Sequence, residues 1–193
     1  LVEKDHSLGG KMILLSKVFP TLDCAACITT PKVSEIARHK NITIFTESEV
    51  THIAKKGDND FVAQITKKPR YVRVEDCTAC QLCEKACPVS VRDEYQFGLI
   101  GRKAAFIPFS IANPNAAVID IEDCPLCGAC EKACPTHCID FTMETVYYEL
   151  HAKTVILATG FNLFDPLEIP RFGYGQYKNV ITSMQMEIGR ASC

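Results

Sequence analysis

The chain has 193 residues, 47% of them hydrophobic, and its 21 basic side chains against 23 acidic ones leave a net charge of −2. That length suits one large domain or two small ones, and the charge excludes the broad basic field that nucleic-acid binding needs. The long uncharged run at 104–119 is too short to span a bilayer and is broken by two prolines and two asparagines.

The sequence opens at Leu1 without methionine, in what reads as a strand already under way, so we expect a piece of a longer protein. No signal-peptide pattern is visible, which points to a cytoplasmic chain. "LVEKDHSLGGKM" reads as a short apolar strand, an acid, then Gly-Gly. In a dinucleotide-binding fold the acid after the second strand takes the ribose hydroxyls, which makes Glu3 a candidate. Gly9 and Gly10 would let the backbone approach a cofactor closely. From these residues alone, an exposed glutamate and a glycine turn is the better reading. No G-x-G-x-x-G fingerprint precedes them.

Cys24 and Cys27 follow in "LDCAACI". Two thiolates are half of what an iron–sulfur cube requires. Three readings stay open: half of a third cluster site completed by residues outside this chain, a redox dithiol of the C-x2-C kind, or two small apolar residues in a core. "TTPKVSEIARHK" places Val33, Ile36 and Ala37 on one helical face. "NITIFTESEVTHIAKK" and "NDFVAQITKKPRYV" alternate in polarity around the turn "KGDND", as strands of a meander do.

The chain carries 12 cysteines, and eight of them form a repeat. "CTACQLCEKACP" at 77–88 returns 47 residues later as "CPLCGACEKACP" at 124–135, each with the spacing C-x2-C-x2-C-x3-C-P. Such clustering favours metal over a disulfide framework. Three cysteines at successive x2 spacings wrap one [4Fe–4S] cube, and the fourth is badly aimed for it and crosses to the other cube. The expected ligand sets are Cys77, Cys80, Cys83 with Cys134, and Cys124, Cys127, Cys130 with Cys87. Pro88 and Pro135 suit a sharp exit after each crossing cysteine. Two zinc sites are the rival, since C-x2-C pairs also hold zinc. "YVRVEDC" and "AVIDIEDC" precede the two runs, so each half reads as strand, cluster loop and short helix around a pseudo-twofold. With every iron held by cysteine, the job is one-electron transfer, and no residue is singled out as a catalytic acid, base or nucleophile.

Lys85 and Lys132 read as solvated helix residues, or as cations that offset cluster charge or steer an acidic partner. The segment "QFGLIGRKAAFIPFSIANPNA" lengthens the link between the runs; it either packs over the core and contacts a partner, with Arg102 and Lys103 at the rim, or closes the domain as a β-excursion. His137 reads as an exposed turn residue or as a donor that tunes a cluster. Cys138 reads as a small core side chain. The meander resumes only at "TVYYELHAKTVILATGF", where a polar-alternating strand leads into an apolar one. The cluster region, 72–140, therefore looks inserted at a hairpin.

In this order, "VEKDHSLGG", "DCAACITTPKV", "HKNITIFTESEV", "KKPRYVRVEDCTACQLCEKACPV", "RKAAFIPF" and "ILATGFNLFDP" resemble the A subunit of heterodisulfide reductase along nearly the whole chain. The resemblance implies an α/β FAD-binding fold of the thioredoxin-reductase type, incomplete here, formed by residues 1–71 and 141–193. An α+β bacterial ferredoxin-like domain would be inserted at 72–140. It implies an oxidoreductase subunit that passes electrons between FAD and two [4Fe–4S] clusters, in flavin-based electron bifurcation that serves methanogenesis among other anaerobic processes. The implied partners are B and C-type subunits, a hydrogenase or formate dehydrogenase module and ferredoxin. A two-cluster carrier without flavin is the alternative. Residue by residue, Glu3 matches the ribose-binding acid, and Gly9, Gly10 and Lys11 match the loop along the flavin. Val50 matches the adenine-contacting position, Ala158, Thr159 and Gly160 the "ATG" turn, and Cys24 and Cys27 a C-x2-C near the flavin. The tail "SMQMEIGRASC" departs from the family pattern, which reads Cys193 as the edge of a fragment.

Overall fold

The computed structural model describes residues 1–191; Cys193 lies outside them. Two elements organise the N-terminal part. A short hairpin pairs β1 (Lys17–Val18) with β2 (Asp23–Cys24), and α1 (Ala25–Arg38) follows directly. The helix starts earlier than its apolar spacing predicts because Cys24 caps it: its Sγ accepts a hydrogen bond from the Cys27 N–H at 3.3 Å. Pro31 sits within α1 and lacks the N–H that would reach back one turn, while Thr29 and Thr30 spend their hydroxyls on the carbonyls of Ala25 and Ala26.

A three-stranded antiparallel meander comes next, with β3 (Ser48–Gly57) and β4 (Asp60–Lys67) joined by the predicted turn. Asn59 adopts the left-handed conformation (φ 57°) that such a tight turn favours. The third strand, β9 (Val146–Ala152), arrives much later in sequence and pairs with β4. Val62 and Ile65 are buried on the central strand, Ile65 almost completely. Three apart, they point to opposite faces, so β4 is covered on both sides. Replacing Ile65 with alanine is expected to destabilise this layer by about 2–5 kcal/mol, which denaturant unfolding measures.

Lys67 pairs with Val146, so residues 68–145 leave and rejoin the meander at one end of the sheet. This excursion holds the cysteine runs. Its helices, α2 (Leu82–Ala86) and α3 (Ala129–Ala133), pack against each other. Its strands are β5 (Ser90–Arg92) with β6 (Gly101–Lys103), and β7 (Ala105–Phe106) with β8 (Val118–Ile119). Val72 makes an antiparallel bridge to Ile139. The core combines Val72, Ile119 and Ile139 with Ala104, Ala105, Ala117 and five cysteines. The linking segment does two things: Ala104 and Ala105 enter this core, while Tyr95 and Phe97 pack on Leu14 and Met184. Met184 belongs to α4 (Ser183–Ala191).

The flanking strands differ from expectation. "LVEKD" contributes a single parallel bridge, Val2 to Phe45, and "TVILATG" is irregular, with Ile156 87% and Leu157 76% exposed. An apolar strand of that type is stable when neighbours cover both faces, and among the described residues no strand lies beside it. The described residues thus do not display the α/β dinucleotide fold. No described helix is long and apolar enough to cross a membrane.

Candidate metal centre

The two cysteine loops are built alike. In each, the first cysteine is half-buried (Cys77, Cys124), the second exposed (Cys80, Cys127), and the third and fourth buried (Cys83, Cys87, Cys130, Cys134). The middle cysteine is flanked by left-handed residues in both loops: Ala79 (φ 53°) and Gln81 (φ 63°), then Leu126 (φ 55°) and Gly128 (φ 70°). Successive backbone N–H groups in such a conformation form an anion-binding concavity, the arrangement found at many Fe–S sites. N–H groups do point at thiols: Ala117 donates to Cys77 Sγ at 3.5 Å and Leu126 to Cys124 Sγ at 3.4 Å.

A small, partly open pocket is lined by Cys77, Cys80, Cys83 and Cys134. Three come from the first run and one from the second. Ala79, Ala117, Ile107 and Ile139 share the wall, so the space between the thiols is apolar and framed partly by small side chains. Four thiols around an apolar space with inward N–H groups fit a [4Fe–4S] cluster. On the other side, Cys130 lies within electrostatic reach of Cys124 and Cys87. Among the described residues, no three of His, Cys, Asp or Glu converge tightly enough for a single ion.

Burial decides the charge state of the bare thiols. It pushes Cys83 up to about 11, with the neighbouring charges of Cys77, Cys80 and Cys130 adding. Burial likewise raises Cys130, and Cys124 and Cys87 add to that. Cys134 goes the other way: burial works against its thiolate, but hydrogen bonds from Thr136 and Cys138 outweigh it and bring the thiol to about 7. Cys138 is buried, touches Cys134 at 3.4 Å (Sγ–Sγ) and lines the same cavity, and burial holds it at about 12. It packs as the small core residue expected and is also a fifth sulfur at this site. His137 is exposed in a left-handed turn, with its carbonyl accepting from Arg73 Nη2 at 2.6 Å. Lys85 and Lys132 are exposed.

The flavin candidates lie in two groups. Glu3 runs beside the strand entrance, where its carbonyl accepts from Ser48 N at 2.9 Å, close to Val50 on β3. Gly9 (φ 116°) and Gly10 (φ 50°) turn the chain, and Lys11 Nζ reaches the Phe161 carbonyl at 2.6 Å. That contact brings the glycine loop to the exposed turn of Ala158, Thr159 and Gly160. Cys24 and Cys27 are both exposed, so the reading of them as buried core residues is corrected; they sit on the surface because Cys24 caps a helix start. The Cys27 thiol donates to Cys24, which lowers Cys24 and raises Cys27 from their ordinary values.

One residue that spacing does not single out is central here. Arg70 is 5% exposed and uses its whole fork: Nε donates to Ala117 O (2.8 Å), Nη2 to Ala116 O (2.8 Å) and Nη1 to His6 O (2.7 Å). Glu47 lies 3.8 Å from Nη1 and also contacts His6 Nδ1 at 2.7 Å. Laying the first half of the repeat over the second would have flagged it, since the equivalent position is Ala117.

Residues 76–139 match the family described as a 4Fe-4S dicluster domain. Over 97% of its length the chain is 46% identical to an iron-sulfur A subunit of the CoB–CoM heterodisulfide reductase of Methanopyrus kandleri. It is 45% identical to the A subunit of the H(2)/formate:CoB-CoM heterodisulfide,ferredoxin reductase of Methanococcus maripaludis, again over 97%. Along nearly its whole length the chain is similar to A subunits of heterodisulfide reductases. A third relative, the A subunit of the ferredoxin:CoB-CoM heterodisulfide reductase of Methanosarcina mazei, is 38% identical over 97% of the chain. The chain spans 28% of the length of the first two of these relatives and 24% of the third.

Proposed function

We propose that this chain is the electron-wiring portion of a heterodisulfide reductase A-type oxidoreductase subunit, linking an FAD site to two [4Fe–4S] clusters. The observation that carries it is the single cavity walled by thiols from both runs, Cys77, Cys80, Cys83 and Cys134. The second set is Cys124, Cys127, Cys130 and Cys87. When bound, such clusters supply one-electron transfer at a potential set by charge, hydrogen bonds and exposure. The chain's own residues would hold them: the third and fourth cysteines of each run are buried, and the N–H groups of Ala117 and Leu126 donate to the sulfurs of Cys77 and Cys124.

In this reading, residues 72–140 are a ferredoxin domain inserted in a flavin domain made of 1–71 and 141–193. Glu3, Gly9, Gly10, Lys11, Val50, Ala158, Thr159 and Gly160 contribute to FAD binding, completed by the rest of the subunit. Cys24 and Cys27, exposed at a helix start, supply half of a further cluster site. Names of the relatives that mention ferredoxin, H(2) and formate support partners of those kinds, with B and C-type subunits as neighbours. They support electron bifurcation as the setting.

Flavin analysis of the native complex tests this reading: bound FAD supports it, and iron without flavin leaves a two-cluster carrier. Gly9→Ala sharpens the test. A Cβ there meets Ile13 Cγ1 at 2.6 Å on a backbone with φ +116°, a strain of about 1–3 kcal/mol. The full-length subunit with this change is expected to lose FAD occupancy while keeping its iron.

A further inference from the structure

The repeat is symmetric in its cysteines but not in its charges. At the 47-residue offset, Arg70 corresponds to Ala117 and Arg73 to Asp120. Arg70 is buried and directs two arms of its fork at the carbonyls of Ala116 and Ala117. The N–H of that same Ala117 donates to Cys77 Sγ. The guanidinium is therefore one residue removed from a thiol of the first ligand set. Arg73 lies on the same side, with its N–H on the Cys138 carbonyl and Nη2 on that of His137, although Asp76 pairs with it at 2.8 Å in the open. The second half has an acid, Asp120, in the place of Arg73, and it faces Arg102, while Asp76 and Asp123 are equivalent acids in the two halves.

We propose that Arg70 makes the two clusters unequal, so that the one held by Cys77, Cys80, Cys83 and Cys134 has the higher reduction potential. The inference rests on the two-cluster reading above. Reduction adds negative charge to a cluster, and a buried cation beside it favours the reduced state far more than a solvated one. Arginine stays charged when buried, and its bonds to the 116–117 carbonyls polarise the Ala117 N–H toward Cys77. Glu47 opposes this in part, but it approaches Nη1, the arm that serves His6. Arg70 is thus a positioning residue that tunes a cluster through a peptide.

The test is an EPR-monitored redox titration of the native protein and of four variants. Cys80→Ser and Cys127→Ser identify the signals, since each disturbs one cluster. In the native protein the signal altered by Cys80→Ser is expected to be reduced first. Arg70→Met should lower its electron affinity at least tenfold, about 59 mV for one electron, and leave the other signal in place. Arg70→Lys, which keeps the charge, should retain most of the native value. Coincident potentials, the reverse order, or an equal displacement of both signals by Arg70→Met would overturn the proposal. Should Arg70→Met fail to assemble, the native order and Arg70→Lys still decide. Native protein without two cluster signals would instead refute the two-cluster reading itself.

Discussion

Replacing Cys87 with serine should disturb the cluster held by Cys124, Cys127 and Cys130, and spare the one whose cysteines precede it in sequence. Cys87 lies four residues after Cys83, yet the helix separates their roles. Its N–H donates to the Cys83 carbonyl at 3.1 Å, and it leaves α2 with an extended backbone (φ −70°, ψ 121°) before Pro88. The same geometry recurs at Cys134 (φ −79°, ψ 112°), which lines the cavity with the three cysteines of the opposite run. By the pseudo-twofold, Cys87 is expected to serve the second set. Serine is a poor substitute for a buried thiolate ligand. About half of the cluster iron, roughly four of eight atoms, should become labile. Iron analysis with EPR of double variants measures it: Cys87→Ser combined with Cys127→Ser should remove no more than Cys127→Ser alone. Damage confined to the cluster of Cys77, Cys80 and Cys83 would contradict the crossed pairing.

Removing the iron should unfold the excursion and leave the meander. The buried core of 68–145 has five sizeable apolar side chains, Val72, Phe106, Val118, Ile119 and Ile139; the rest is alanine and cysteine. Without metal, Cys83 and Cys130 are buried thiols with little to pack against, so binding free energy becomes folding free energy. The β3–β4–β9 sheet has its own buried residues in Val62 and Ile65. Hydrogen exchange should show amide protection at Val72, Ile119 and Ile139 falling by at least about 100-fold, ~2.7 kcal/mol of opening free energy. Protection at Val62 to Ile65 should persist. Uniform loss across both regions would mean that the excursion does not fold on its clusters.

What could be read in advance followed from local chemistry. The cluster loops were legible because the spacing of eight cysteines repeats, and the matching left-handed pairs around Cys80 and Cys127 are the backbone form of that repeat. β3, β4 and β9 were legible from alternating polarity. The early start of α1 was not, because a cysteine as N-cap carries no strong propensity. "TVILATG" reads as a buried strand, but a strand is defined by its neighbours, and Ile156 and Leu157 have none here among the described residues. Arg70 was hidden in "KKPRYV", where it looks like one more basic residue. Its partners are the carbonyls of His6, Ala116 and Ala117, and backbone acceptors leave no trace in side-chain patterns.

The central claim is that the two cysteine runs hold a crossed pair of [4Fe–4S] clusters. Metal and acid-labile sulfide analysis of the anaerobically purified protein, with Cys80 and Cys127 variants alongside, tests it most directly. Each of those two variants should lose about four irons and four sulfides relative to the native protein. Zinc in place of iron, with no sulfide, would contradict it.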